Sequence, residues 1–210
     1  MKSVEYSEMW TKVAIDRIDT VARKGIFSKI LPIDIKSVLE VGCGAGYNLA
    51  AIRFCSEIVK LTGIDNLEYA ISEAKKRYRT LNIDFELASA QELPFDSHSF
   101  DLVLCCGFFD WVDYDNLPYI IGEVSRVTDK YILVIDYGFV GDIKPFGTID
   151  LLVVYKGKPL YIVRDYLDRF PGFELIDYHE KLSSVFSAIP ISSWLFKKEK
   201  KDEIFGNWHR

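Results

Sequence analysis

The chain has few cysteines, only three histidines and no surplus of positive charge. Its four cysteines, Cys43, Cys55, Cys105 and Cys106, form no C-x-x-C pair and gather no other ligand types around them, so a structural zinc site or a disulfide framework is excluded and no metal is expected. They read as small buried residues in a reducing compartment. Of the histidines, His98 lies in the polar turn DSHSFD, His179 in a late strand and His209 near the end of the sequence, and none reads as a catalytic base. The net charge of -5 argues against a partner made of phosphate backbone, because such proteins present a basic face. The densest basic cluster, Lys197, Lys198, Lys200 and Lys201, is broken up by Glu199, Asp202 and Glu203. No run reaches the roughly 18 apolar residues of a membrane span, and MKSVEYSEMWTKVAID lacks the apolar stretch of a signal peptide. The expectation is a cytoplasmic protein with neither nucleic acid nor membrane as partner.

What is present is an alternation. Short apolar runs, SVLEV (37–41), KLTGID (60–65), IDFELA (83–88), FDLVLCC (100–106) and YILVID (131–136), alternate with helical patterns over residues 45–56, 67–80 and 116–127. Strands alternating with helices predict parallel βαβ units, and nearly continuous apolar strands predict burial on both faces. The expected fold is therefore α/β, doubly wound, with about seven strands and helices on both faces of the sheet. FELIDYHEKL (173–182) and ISSWLFKKE (191–199) predict a terminal antiparallel hairpin. Residues 7–30 carry mostly helical apolar spacing, 138–160 read as loop with one short strand near Leu151–Tyr155, and Tyr161–Phe170 reads as a short helix closed by Pro171 and Gly172. The 210 residues divide into an N-terminal helical extension or lid (1–35), a main domain (36–199) and a charged tail (200–210).

The strongest local signal is VLEVGCGAG (38–46), which follows a strand and opens a helix. Glycines at 42, 44 and 46 permit positive φ and remove Cβ atoms from the path of a ligand. The run is G-x-G-x-G rather than the G-x-G-x-x-G of dinucleotide sites, and Glu40 precedes it. A carboxylate there repels a pyrophosphate and suits a ligand bearing an ammonium and a sulfonium, such as S-adenosylmethionine. Asp65 ends the second strand, where it can accept from both hydroxyls of a ribose or serve as a helix cap.

In these residues the sequence resembles the seven-stranded, Rossmann-like methyltransferases that use S-adenosylmethionine. VLEVGCGAG is similar to their first motif, GID (63–65) to their acidic second-strand end, SAQELPF (89–95) to the segment that closes over adenine, and FDLVLC (100–105) to the fourth-strand motif. The resemblance implies that Glu40, Gly42, Cys43 and Gly44 surround the methionine part of the cofactor and that Asp65 and Asn66 meet the ribose. It further implies that Ser89, Ala90 and Gln91 line the adenine, and that the backbone at Cys105 and Cys106 faces the methionine amine. Ser89 stands where the family more often has Asp. Tyr6 with Trp10, GFFDWVDYDNLP (107–118), VYKGKPLYIVRDY (154–166) and SSWLFKKE (192–199) more narrowly resemble methylases found with pseudaminic acid biosynthesis, which implies a sugar acid or related sugar as acceptor. That group tends to carry His after the fourth strand, where this chain has Trp111.

Methyl transfer needs mainly proximity and alignment, which can supply up to roughly 7–11 kcal/mol of the barrier, and a base only where the acceptor must lose a proton. Asp110 and Trp111 are the candidates for chemistry. Asp110 and Asp113 read more simply as solvated loop carboxylates or helix caps, and Trp111 reads equally as a sugar platform or a core ring. The expected acceptor is a small molecule. A non-catalytic module binding the same cofactor for a partner, and a nicotinamide-dependent oxidoreductase, are the competing readings.

Overall fold

The computed structural model describes residues 20–56, 59–137, 151–155, 158–163, 166, 168–182 and 191–199. Helix α1 (Thr20–Ile30) leads into β1 (Ser37–Val41), α2 (Tyr47–Arg53), β2 (Lys60–Asp65), α3 (Glu68–Arg77), β3 (Asp84–Leu87) and β4 (Phe100–Cys106). A 3-10 turn at Phe109–Trp111 precedes α4 (Leu117–Val127), β5 (Thr128–Tyr137), β6 (Leu151–Tyr155), β7 (Lys158–Val163), β8 (Phe173–Leu182) and β9 (Ile191–Lys198). The main sheet has seven strands in the order β3-β2-β1-β4-β5-β9-β8, and β6 pairs with β7 in a separate two-stranded sheet. Strands β1 to β5 run parallel, and β9 is antiparallel to both β5 and β8. The doubly wound, mostly parallel sheet with an antiparallel strand in its terminal hairpin is the architecture expected from the sequence.

Alternation along the central strands gives each face its own core. Leu39, Val41, Val103, Cys105, Ile132 and Val134 face α4, Phe109 and Tyr166, while Val38, Leu102, Leu104, Leu133 and Ile135 face α1, α2 and α3. Helix α4 buries Leu117, Ile120, Ile121, Val124 and Val127 along one stripe. Each such side chain contributes roughly 1.5–3 kcal/mol over its exposed state. Pro118 sits in its first turn, where the missing N–H costs nothing.

Two expectations change. Tyr161–Val163 belong to β7 rather than to a helix over 161–170. The aromatic and β-branched residues of LYIV favour a strand, and pairing with LLVVY across β6 decides the matter. Residues 138–160 hence contain a strand pair rather than one strand. In the described part of the N-terminal extension, Phe27 and Ile30 of α1 are buried among Val38, Leu49 and Leu61. Residues 1–19 of the extension or lid expected over 1–35, with Tyr6 and Trp10, lie outside the described residues, as does the tail 200–210. No helix among the described residues is long and apolar enough to cross a membrane.

Candidate functional site

Strand order reverses between β1 and β4: β2 and β3 continue on one side of β1, while β5 continues beyond β4 on the other. At such a switch point the loops leaving neighbouring strands diverge and open a crevice at the carboxyl edge of the sheet. The G-x-G-x-G loop leaves β1 here. The amides of Gly42 and Cys43 both donate to the Ile64 carbonyl of β2 at 2.9 Å, so the loop is tied to its neighbour before α2 begins. Gly42, Gly44 and Gly46 all adopt positive φ, at 72°, 52° and 81°.

The three glycines do different work. A Cβ on Gly42 would meet the Phe108 ring at 2.5 Å, and one on Gly46 would meet Phe85 at 2.6 Å, so these two are needed for packing. A Cβ on Gly44 would meet nothing within 4 Å. That glycine therefore leaves open space over the loop, as a ligand-facing position requires.

Carboxylates flank the loop. Glu40 is fully buried, lies opposite Gly63 and Leu104 in the register, and accepts from Asn48 Nδ2 of α2 at 2.6 Å. Asp65 Oδ2 accepts from the Gly44 amide and Oδ1 from the Leu67 amide, both at 2.9 Å. The latter bond makes an Asx-type turn into α3, whose N-cap is Leu67. Asp65 is thus a loop clasp as well as a strand end, and a carboxylate with about four acceptor positions keeps capacity beyond these bonds. Burial pushes the Asp65 carboxyl up from its ordinary range, against the lowering effect of backbone bonds from Leu67, Gly44 and Asn66. Asn66 itself is exposed.

The segment after β3 closes one side. The Ala88 amide donates to the Asp65 carbonyl at 3.1 Å, and the Gln91 amide donates to Ser89 Oγ at 3.2 Å. Gln91 Nε2 donates to Asn116 Oδ1. Arg126 of α4 donates to the carbonyls of Phe95 at 2.7 Å and Leu93 at 3.0 Å, while Glu123 accepts from the Leu93 amide at 2.7 Å. Ser89 and Gln91 are exposed and Ala90 is half-buried against the core.

Beyond β4, Cys105 is buried and Cys106 half-buried. Burial, then the negative charges of Asp136 and Glu40, push the Cys105 thiol well up; burial, then Glu40 and Asp65, do the same to Cys43. Both stay protonated and serve as small packing residues rather than nucleophiles. Asp110 is 2% exposed, so it is not the solvated carboxylate that its loop position suggested. The turn Phe109–Trp111 folds inward with Phe109 at 0% exposure, and it carries Asp110 in with it. Trp111 is 37% exposed, hence a surface ring rather than a core one. Asp113 is exposed and accepts from the Asn116 amide at 3.0 Å, the cap-like role expected of it. His98 sits in an exposed turn with φ of 60°.

The structure thus gathers Glu40, the glycine loop, Asp65, the 88–91 segment and the end of β4 at one edge. Sequence reasoning missed Asn48, Phe108, Asp136 and Tyr166. Asp136 is 2% exposed near the end of β5, and the fully buried Tyr166 donates its hydroxyl to Asp136 Oδ2 at 2.8 Å. The signal was there: YILVID ends an apolar run on Asp in the same way as KLTGID. Lys197, by contrast, pairs with Tyr131 at the start of β5, on the opposite edge of the sheet. Of the basic residues that the sequence offers to an acceptor carboxylate, Lys144, Lys156 and Arg164 lie outside the described residues and Lys158 begins β7.

Residues 38–130 match the family model described as a methyltransferase domain. The chain is 41% identical over 69 residues to the phthiotriol/phenolphthiotriol dimycocerosates methyltransferase of Mycobacterium tuberculosis, a match spanning 33% of this chain and 26% of that protein. It thus covers about a quarter of the length of that relative. It is 24% identical over 208 residues to the ubiquinone/menaquinone biosynthesis C-methyltransferase of Campylobacter jejuni, over 81% of this chain and 86% of that one. Among solved structures it shares its fold with an S-adenosylmethionine-dependent methyltransferase of Methanosarcina mazei, at a TM-score of 0.63 and 22% identity over 83% of this chain and 97% of the other. It also shares it with the 1,6-didemethyltoxoflavin-N1-methyltransferase of Burkholderia thailandensis, solved with S-adenosylhomocysteine and 1,6-didemethyltoxoflavin, at 0.68 and 16% over 94% and 85%.

Proposed function

We propose that this chain, which carries a methyltransferase domain of the Rossmann-like, S-adenosylmethionine-dependent class over residues 38–130, transfers the methyl group of S-adenosylmethionine to a small polar molecule. The observation that carries the reading is the conjunction of open space over Gly44 with acidic neighbours on both sides of it, the buried Glu40 and the half-buried Asp65. Carboxylates fit an ammonium, a sulfonium and ribose hydroxyls, and they repel the pyrophosphate of a nicotinamide dinucleotide.

When bound, the cofactor supplies an activated methyl on a positively charged sulfur. The chain's own part is placement. Glu40, fixed by Asn48, holds the amino-acid end near the loop. Asp65 accepts from the ribose with the lone pairs its backbone bonds leave. Ala90 and Gln91 line the adenine, and the backbone at Cys105 and Cys106 faces the methionine amine. The β4 and β5 ends form the acceptor side, where Trp111 and Tyr114 offer exposed rings and β7 lies against the 3-10 turn. Aromatic faces suit a sugar ring, which supports a sugar or sugar acid as the acceptor class.

Calorimetry with S-adenosylhomocysteine and with NAD tests the first part: micromolar binding of the former and no comparable binding of the latter is expected, and binding of NAD alone refutes it. Methyl release from labelled cofactor over a panel of sugars, amino sugars and sugar acids tests the second.

A further inference from the structure

One residue before its end, strand β5 carries a buried carboxylate that cofactor binding, as described above, does not use. Asp136 follows Ile135, whose partner Cys106 is the last residue of β4, so it stands at the carboxyl edge just past the β4–β5 ladder. It shares a face with Val134 and Ile132, the face covered by the 3-10 turn and Tyr166. A carboxylate enclosed in an apolar frame is costly unless it is hydrogen-bonded, and its surroundings here are built to hold it. Tyr166 Oη donates to Oδ2 at 2.8 Å. The Tyr166 ring is itself locked between Trp194 at 5.0 Å and Phe109 at 5.7 Å between centroids. Across the ladder, Asp136 faces Ser192 of β9, also buried. The Tyr166 hydroxyl fixes the orientation of the carboxylate, whose oxygens can accept hydrogen bonds and a proton. Phe109 ties this pair to the turn that carries Phe108 under Gly42, and the same frame therefore positions the glycine loop and the Asp136 carboxylate.

We propose that Asp136, oriented by Tyr166, meets the methyl acceptor and takes its proton. This rests on the methyltransferase reading above and deepens it: the acceptor presents an O–H or N–H, such as a ring hydroxyl or amino group, and keeps any carboxylate away from this point. In the transfer, a lone pair of the acceptor oxygen or nitrogen forms the bond to the methyl carbon. The carbon–sulfur bond breaks with its electron pair left on sulfur, which becomes a neutral thioether, and the acceptor's proton passes to the Asp136 carboxylate. Tyr166 is a positioning residue; it keeps the carboxylate aimed.

The test needs no acceptor. Sinefungin, an analogue of S-adenosylmethionine, carries an amine-bearing carbon in place of the methyl-bearing sulfur, so its ammonium occupies the point where the methyl leaves. Calorimetry on the full chain compares sinefungin with S-adenosylhomocysteine. Wild type is expected to favour sinefungin about tenfold or more, as for opposite charges a few ångströms apart in a partly buried site. Asp136→Asn is expected to lose that preference while binding S-adenosylhomocysteine as wild type does; if the Asn variant does not fold, Asp136→Ser takes its place. A wild type that binds both compounds without preference overturns the inference and leaves the cofactor reading standing. A folded Asp136→Asn that keeps the preference, or loses affinity for both compounds equally, overturns it too. Failure of wild type to bind either compound overturns the cofactor reading itself, and the inference falls with it.

Discussion

The Gly44 amide donates to Oδ2 of Asp65 across 2.9 Å, joining the loop after β1 to the end of β2. One carboxylate therefore shapes the loop and, on the proposed reading, also meets the ribose of the cofactor. Asp65→Ala removes an acceptor from the Gly44 and Leu67 amides and from the ligand, and charge-assisted bonds of this kind are worth roughly 1.5–3 kcal/mol each. It also relieves the cost of burying a charge, so the loss falls mainly on binding. S-adenosylhomocysteine affinity is expected to drop about ten- to hundredfold by calorimetry, with little change in thermal melting. Unchanged affinity would leave Asp65 a clasp only.

The same residue gives opposite pH signs to binding and stability. Burial raises its carboxyl above the unfolded value, so the folded chain holds that proton more tightly. Its contribution to stability is then best below the unfolded pKa of about 3.9 and is lost as pH rises through the raised one. Ligand binding that needs the carboxylate weakens as pH falls through that window. Thermal melts are expected to show Asp65→Asn more stable than wild type near neutrality, with the difference shrinking toward pH 4. Ligand affinity of wild type, but not of Asp65→Asn, should fall over the same range.

Gly44 and Gly46 separate packing from ligand access. Gly46→Ala forces a methyl to 2.6 Å from the Phe85 ring at a φ of 81°, and roughly 2–4 kcal/mol of stability should go with it. Gly44→Ala has the left-handed backbone but open space, so it should cost about 1–2 kcal/mol. Its methyl enters the volume left for a ligand, and affinity for S-adenosylhomocysteine should fall at least about tenfold. Denaturant unfolding and calorimetry on both variants check the contrast; equal effects of the two on binding would contradict it.

Much of this was legible in the sequence because it is local. Strand periods, the glycine run and the acidic strand ends follow from neighbours in the chain, and FDLVLCC coincides with β4 residue for residue. What was not legible depends on distant partners. Whether LYIV is strand or helix turns on pairing with LLVVY. The inward face of Asp110 depends on where Phe109 packs, and the significance of Asp136 depends on a tyrosine 30 positions away. The close approach of Gly46 to the Phe85 ring of β3 likewise depends on a residue 39 positions away.

Arg126 and Glu123 fasten the segment 93–95 to α4 and so hold the loop proposed to line the adenine. The Arg126 guanidinium keeps the Glu123 carboxyl below its usual range, chiefly through their side-chain hydrogen bond. That stabilisation is present above the unfolded value of about 4.3 and is lost as pH falls through the depressed one. Arg126→Met should cost about 1–2 kcal/mol at neutral pH, discounted for the partial exposure of the pair. The gap between the melting curves of variant and wild type should narrow as pH falls through the lowered Glu123 value, leaving the part owed to the Phe95 and Leu93 carbonyls, which do not titrate. A constant gap at all pH values would mean that packing and those carbonyl bonds, rather than the Glu123 pair, carry the effect.

Phe109 and Trp111 are two residues apart in one turn and should respond in opposite ways. Phe109 is fully buried, touches Tyr166 and Phe170, and Phe109→Ala should cost about 3–5 kcal/mol of stability. Trp111 is 37% exposed on the proposed acceptor side, so Trp111→Ala should leave the melting temperature within a few degrees of wild type and S-adenosylhomocysteine affinity unchanged. If the indole is a platform for the acceptor, its loss should raise KM for the acceptor about fivefold, the equivalent of about 1 kcal/mol of stacking. The measurement is initial rate against acceptor concentration at saturating cofactor, with an acceptor drawn from the labelled-methyl panel. An unchanged KM with a lowered kcat would place Trp111 in the alignment of the reacting groups instead, and no change in either would remove it from the acceptor side.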